Sequence, residues 1–117
     1  MNYSMELNNR PFLAIQVGTK KVECRTPRDE TDVRYNEMKQ GDTLTFINNV
    51  TQEIMNCEIL FVTKYSDSKL LLETEGTKNV LSSGLGIEGG IESINNIEGY
   101  RDRIKQFGIY AIGVRPL

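Results

Sequence analysis

The sequence predicts an α+β fold, and three observations carry that expectation. Its helix-like and strand-like stretches run in the order helix, strand, loop, strand, strand, helix, helix, strand. The two middle strands, residues 43–47 and 53–65, are consecutive and joined by a tight connection at Asn48-Asn49, which is the pattern of a β-hairpin. At 117 residues the chain is long enough for one hydrophobic core without disulfide or metal staples. Residues 10–117 are therefore assigned to a single domain, and the polar residues 1–9 to a flexible start.

Each element has a local reason. Residues 11–17 read as a short helix, opened by Pro11 in its first turn and closed by Gly18. Residues 21–26 alternate as a strand, so Glu23 and Arg25 share one face while Val22 and Cys24 share the other. Residues 26–40 carry Pro27 and clustered charges and predict a loop, with a helical turn over residues 33–38. Gly41-Asp42 turns the chain into the next strand, where Leu44 and Phe46 face one way. Asp67 is an N-cap for a helix over residues 68–74 that stops at Gly76. Residues 79–81 read as a short extended piece. Ile87, Ile91 and Ile94, then Ile97, Tyr100 and Ile104, fall at helical spacing, predicting one or two helices over residues 87–106 with a break near Gly99. Residues 109–114 form a last, buried strand.

Composition narrows the chemistry. Net charge is −2, so no bulk electrostatic attraction to nucleic acid exists, although residues 101–117 hold four basic side chains against Asp102 and leave room for a local basic face. There is no histidine and there are only two cysteines, which removes the commonest general base and leaves too few ligands for a tetrahedral zinc site. No metal and no cofactor are expected. Cys24 and Cys57 sit among apolar residues and read as buried free thiols, which makes a reducing, cytoplasmic location the default. No apolar run approaches the ~18 residues of a membrane span and no signal peptide is visible, so no membrane partner is expected. The oligomeric state is left open.

The segment Gly18-x-Lys20-x-x-Glu23-x-Arg25 gathers three long charged side chains just after a helix stop. Pro11-Phe12 precedes it, and Lys39-Gln40-Gly41-Asp42 followed by Phe46, Tyr65, Leu71-Leu72-Glu73-x-Glu75-Gly76 and Phe107-Gly108-Ile109-Tyr110-Ala111-Ile112 come after. In order and spacing these segments resemble the ASCH domain, the activating-signal-cointegrator homology family of the PUA-like superfamily. The resemblance implies a small mixed or antiparallel β-barrel of five to six strands flanked by helices, with a cleft between barrel and helices. It also implies that the signature residues line that cleft and that the ligand is RNA or a modified nucleoside. One bacterial branch of the family is an amidohydrolase that deacetylates 4-acetylcytidine with a lysine, a threonine three residues later and a distant glutamate. Lys20 matches the lysine; Glu23 stands where the threonine nucleophile would be.

Lys20, Glu23, Arg25 and Tyr65 are the ligand-binding candidates. Glu23 and Arg25 admit two readings: an exposed ion pair worth at most ~1 kcal/mol, or a cleft site. In the cleft reading Arg25 offers a planar donor fork to a phosphate or base edge, while Glu23 accepts from a base amino group or holds Arg25 in place. Strict alternation sends Lys20 away from Glu23, so Lys20 joins them only from the turn before pleating begins. Tyr65 and Tyr35 offer base stacking or, as large aromatics, core burial. A non-catalytic module for RNA or a modified nucleoside or nucleotide leads. The alternatives are an amidohydrolase with Lys20 as base and Glu23 polarising a water, and a ribonuclease.

Overall fold

The computed structural model describes residues 1–117. In chain order the elements are β1 (Asn2–Leu7), α1 (Asn9–Val17), β2 (Val22–Arg25), α2 (Arg34–Glu37), β3 (Thr43–Asn48), β4 (Ile54–Tyr65), α3 (Ser68–Glu75), α4 (Thr77–Val80), α5 (Ile87–Asn95), α6 (Tyr100–Phe107) and β5 (Ile109–Pro116). The strands form one mixed sheet in the order β1-β3-β4-β5-β2. β1 runs parallel to β3, and the other neighbours are antiparallel, β3 and β4 as the expected hairpin. The sheet curls until its two edges meet: the Arg25 guanidinium on β2 donates to the Glu6 carbonyl on β1 at 2.8 Å. The result is a partly open barrel with helices beside it, the α+β architecture that the sequence predicts.

Strand β5 organises the interior because it is buried on both faces. Tyr110, Ile112 and Val114 point into the concave face, where they join Phe12 and Ile15 of α1, Tyr35, Met38, and Leu44 and Phe46 of β3. Ile109 and Ala111 point the other way, onto Leu71, Leu72, Val80, Ile94, Tyr100 and Ile104 of the helical layer. A strand covered on both sides reads as a continuous apolar run rather than an alternating one. Fully burying each such side chain contributes ~1.5–3 kcal/mol, so the two cores that share β5 are the main stabilising contribution. Gly113 is required by close approach: a Cβ there would stand 2.1 Å from the Phe61 ring, beside the register shift between Ile59 and Phe61.

Two expectations are corrected. Residues 1–9 are not a flexible start: residues 2–7 are an edge strand, with Met5 and Leu7 buried in the concave core and the Met1 ammonium 3.3 Å from Asp42. The alternation of Ser4, Met5, Glu6 and Leu7 is a strand pattern, but its partner strand lies some forty residues on and mean polarity hides it. Residues 79–81 are not simply extended either. Gly76, at φ 90°, ends α3, the chain then makes one helical turn as α4, and only Leu81 is extended.

Candidate functional site

The turn after α1 aims the first of the charged residues. Gly18 adopts φ +88°, a conformation that favours glycine, and its N–H reaches the Ala14 and Ile15 carbonyls. The amides of Thr19 and Lys20 converge on the same Ala14 carbonyl. The chain thus tightens before β2 begins, and Lys20 leaves it inward, 5% exposed. Its Nζ donates to the Val22 carbonyl at 2.7 Å and to the Val80 carbonyl, and lies 3.3 Å from Glu23 Oε1. Three ammonium protons face three acceptors, which is what allows a buried lysine.

On β2 the pleat places Glu23 opposite Ile112 and Arg25 opposite Tyr110, both members of the concave core, so these two side chains share that face. Arg25 Nε donates to Glu23 Oε2 at 2.7 Å, and Nη2 donates to the Glu6 carbonyl. Burial pushes the Glu23 carboxyl up, but the charges and hydrogen bonds of Lys20 and Arg25 outweigh burial and hold it below its ordinary value. Burial works against the Arg25 cation, but Glu23 more than restores it. The cluster is one carboxylate between two cations. The exposed ion pair considered from the sequence is, in the fold, a buried network.

This cluster floors a cleft of about 290 Å³ at the seam where β1 and β2 approach each other. Asn8, Arg10 and Pro11 at the start of α1 form one wall, residues 80–83 and the α5–α6 region the other, with Tyr100 among the lining side chains. The volume sits at the small end of the ~300–1,000 Å³ typical of small-molecule sites. Tyr100 is 8% exposed, and burial, only partly offset by Arg25, raises its hydroxyl to about 12. Cys24 also borders the cleft; burial raises its thiol to about 11 despite the nearby Lys20 and Arg25, so it is a protonated thiol at neutral pH and a poor nucleophile. No three His, Cys, Asp or Glu side chains converge to hold a metal ion, and no helix is long and apolar enough to cross a membrane.

Lys20, Glu23 and Arg25 come together; Tyr65 does not join them. Tyr65 ends β4 opposite Ile109, packs in the helical-side core, and donates its hydroxyl to Glu75. It falls on the sheet face away from the concave cluster. Tyr35 is buried in the concave core, its ring centroid 5.5 Å from that of Tyr110. The aromatic at the cleft is Tyr100, which the periodicity of residues 97–104 had marked only as helix core. Arg10 and Asn8 went unread as site residues. The Asn8-Asn9-Arg10-Pro11 run is itself a helix-start signal, and it would have marked this end of α1.

No protein-family model matches the sequence, and no curated protein matches it. Solved structures do. A crystal structure of hypothetical protein PH0355 aligns over 100% of both chains with a TM-score of 0.83 and 29% identity. The solution structure of protein PF0455 from Pyrococcus furiosus aligns over 100% of this chain and 98% of that one, with a TM-score of 0.74 and 27% identity. A variant of an ASCH protein from Zymomonas mobilis aligns over 97% of this chain and 73% of that one, with a TM-score of 0.61 and 15% identity. The chain shares the fold of that ASCH protein.

Proposed function

We propose that this ASCH-fold chain is a binding module for RNA or a modified nucleoside or nucleotide, held in the cleft over Lys20, Glu23 and Arg25. The observation that carries the reading is a buried Lys20–Glu23–Arg25 network opening onto a cleft of about 290 Å³. Apolar side chains of similar volume would stabilise such a position as well or better, so a retained buried ion network at a cleft floor is best accounted for by a ligand. Arg25 supports this role because its Nε and one Nη are held by Glu23 and Glu6, which fixes the plane in which its remaining N–H groups are offered. Affinity for long nucleic acid is modest in this reading, because the net charge is −2.

Binding is favoured over hydrolysis. A lysine base must release a proton, and the neutral amine left here would have two N–H donors for three buried acceptors, the Val22 and Val80 carbonyls and Glu23. Glu23 is held ionised between two cations, which lowers its basicity toward a water. A ribonuclease would need an acid and a base with separated pKa values, and the cluster supplies no such pair. The free thiols Cys24 and Cys57 support a reducing, cytoplasmic setting.

Titration of a short fluorescent single-stranded RNA tests the reading. Saturable binding that weakens with salt is expected, and Arg25→Ala should weaken it further while the fold persists. Absence of saturable binding to RNA and to ribonucleosides alike overturns the proposal. Release of cytidine from 4-acetylcytidine would replace it with the amidohydrolase.

A further inference from the structure

Cations outnumber acids at the cleft, with Arg10, Lys20 and Arg25 against Glu6 and Glu23. Each Glu23 oxygen faces a cation, Lys20 or Arg25, which compensates its charge. Glu6, the other acid at the cleft, gives its carbonyl to Arg25, and its exposed side chain alternates away from buried Met5 and Leu7. The unengaged charged groups are cationic, beside the neutral hydroxyls of Ser82, Ser83 and Ser93, which can donate or accept. Arg10 uses only Nε, toward Ser82 Oγ at 3.3 Å, and Arg25 keeps a free Nη. Tyr100, 8% exposed, borders the cleft and makes no side-chain hydrogen bond; since no unpartnered polar atom is fully buried, its hydroxyl reaches the space that the cleft encloses.

The N-terminus of the nine-residue helix α1 opens on the same space through Asn8, Arg10 and Pro11. Its positive end is left uncompensated: the N-cap Asn8 makes no side-chain cap bond, and no acidic residue stands in the first turn. Asn8 instead turns its Oδ1 to Asn49 Nδ2 at 2.7 Å. The contrast is α3, where Asp67 caps the Leu70 amide at 2.8 Å.

We propose that the cleft recognises a phosphate monoester of a nucleotide, with the phosphate between Arg10, Arg25 and the N-terminus of α1, and the Tyr100 hydroxyl donating to the same ligand. A doubly charged acceptor group matches a site whose unpaired charges, at Arg10 and Arg25, are positive, and helix N-termini bind such anions. In this assignment Glu23 reads nothing on the ligand; it sets the plane of Arg25. The inference rests on the reading of the cleft as a nucleoside or nucleotide site.

Calorimetry on the full chain tests it with three sets of probes: the four common ribonucleosides, their 5′-monophosphates, and a trinucleotide RNA with either a 5′-phosphate or a 5′-hydroxyl. At least one monophosphate should bind about tenfold more tightly than its nucleoside, as expected for charge-assisted bonds. Arg10→Ala should reduce that gain to about twofold or less, since it removes one of the cations. Asn8→Asp should do the same while keeping or raising the melting temperature, because a carboxylate at that position caps the helix but repels a phosphate. A gain confined to the phosphorylated trinucleotide supports the proposal with an RNA end as the source; a gain for free monophosphates supports a nucleotide ligand. Equal affinity for nucleosides and monophosphates, with both binding, overturns this inference and spares the binding module. A gain that survives both substitutions overturns the placement of the phosphate. No binding of any probe overturns both readings.

Discussion

Glu23→Gln tests whether the charge network governs stability as its geometry implies. The side chains of Lys20, Glu23 and Arg25 are 5%, 9% and 23% exposed, so water cannot take over the role of the lost carboxylate. Glutamine keeps the shape and one acceptor oxygen, but its amide group turns a donor toward the other cation. Breaking one side of a buried pair costs about 3–5 kcal/mol, against a total stability of ~5–15 kcal/mol for a domain. For 117 residues the unfolding entropy is about 0.25 kcal/mol/K, so the melting midpoint should fall by ~12–20 °C. Thermal unfolding followed by far-UV circular dichroism at neutral pH measures this directly, and urea unfolding gives the free-energy loss. The pH dependence is the second readout. The folded Glu23 pKa lies below its unfolded value of 4.5, so its contribution is fully present above that value and lost as pH falls through the folded one. Wild type should therefore lose stability below about pH 4.5 by an increment that the Gln variant lacks. Adding Lys20→Met to Glu23→Gln should cost less than the sum of the single changes, because the two residues share one network. A Gln variant within ~1 kcal/mol of wild type would refute the reasoning, since a contribution that small is characteristic of exposed pairs.

Two further outcomes follow from the fold. Deleting residues 1–8 removes Met5 and Leu7, 6% and 4% exposed, worth ~3–6 kcal/mol together, and takes away the Glu6 carbonyl that holds Arg25; a thermal melt should show a broad or greatly lowered transition, and an unchanged midpoint would mean that β1 is not held. The thiols of half-buried Cys24 and buried Cys57 are both raised to about 11, so a colorimetric thiol reagent at mildly alkaline pH should react slowly with folded protein and rapidly after unfolding; immediate reaction of Cys57 in the native state would contradict its burial.

Much of the fold is local and was legible for that reason. Gly18 and Gly76 stop helices at the expected places, Asp67 caps α3, and the uninterrupted apolar run from Ile109 marks a strand covered on both faces. Alternation also put Glu23 and Arg25 on one face of β2. β1 was missed because what makes residues 2–7 a strand is the parallel pairing with β3, a contact that no local pattern encodes. Tyr65 was misplaced for a related reason: strand parity says that two residues are on opposite faces, but not which face borders the cleft.

The sequence by itself determined which charges exist and, through a two-residue pleat, that Glu23 and Arg25 share a strand face; only the turn after α1, as folded, brings Lys20 to them. Tertiary structure decided what that pairing means. Only the curling of the sheet brings β1 to β2, so that the Glu6 carbonyl fixes Arg25 and the uncapped end of α1 faces the same cleft. Only the helical layer supplies the Val80 carbonyl that lets Lys20 be buried. Burial lowers the local dielectric, and that turns three charges worth little at a surface into a network whose disruption should cost about 3–5 kcal/mol.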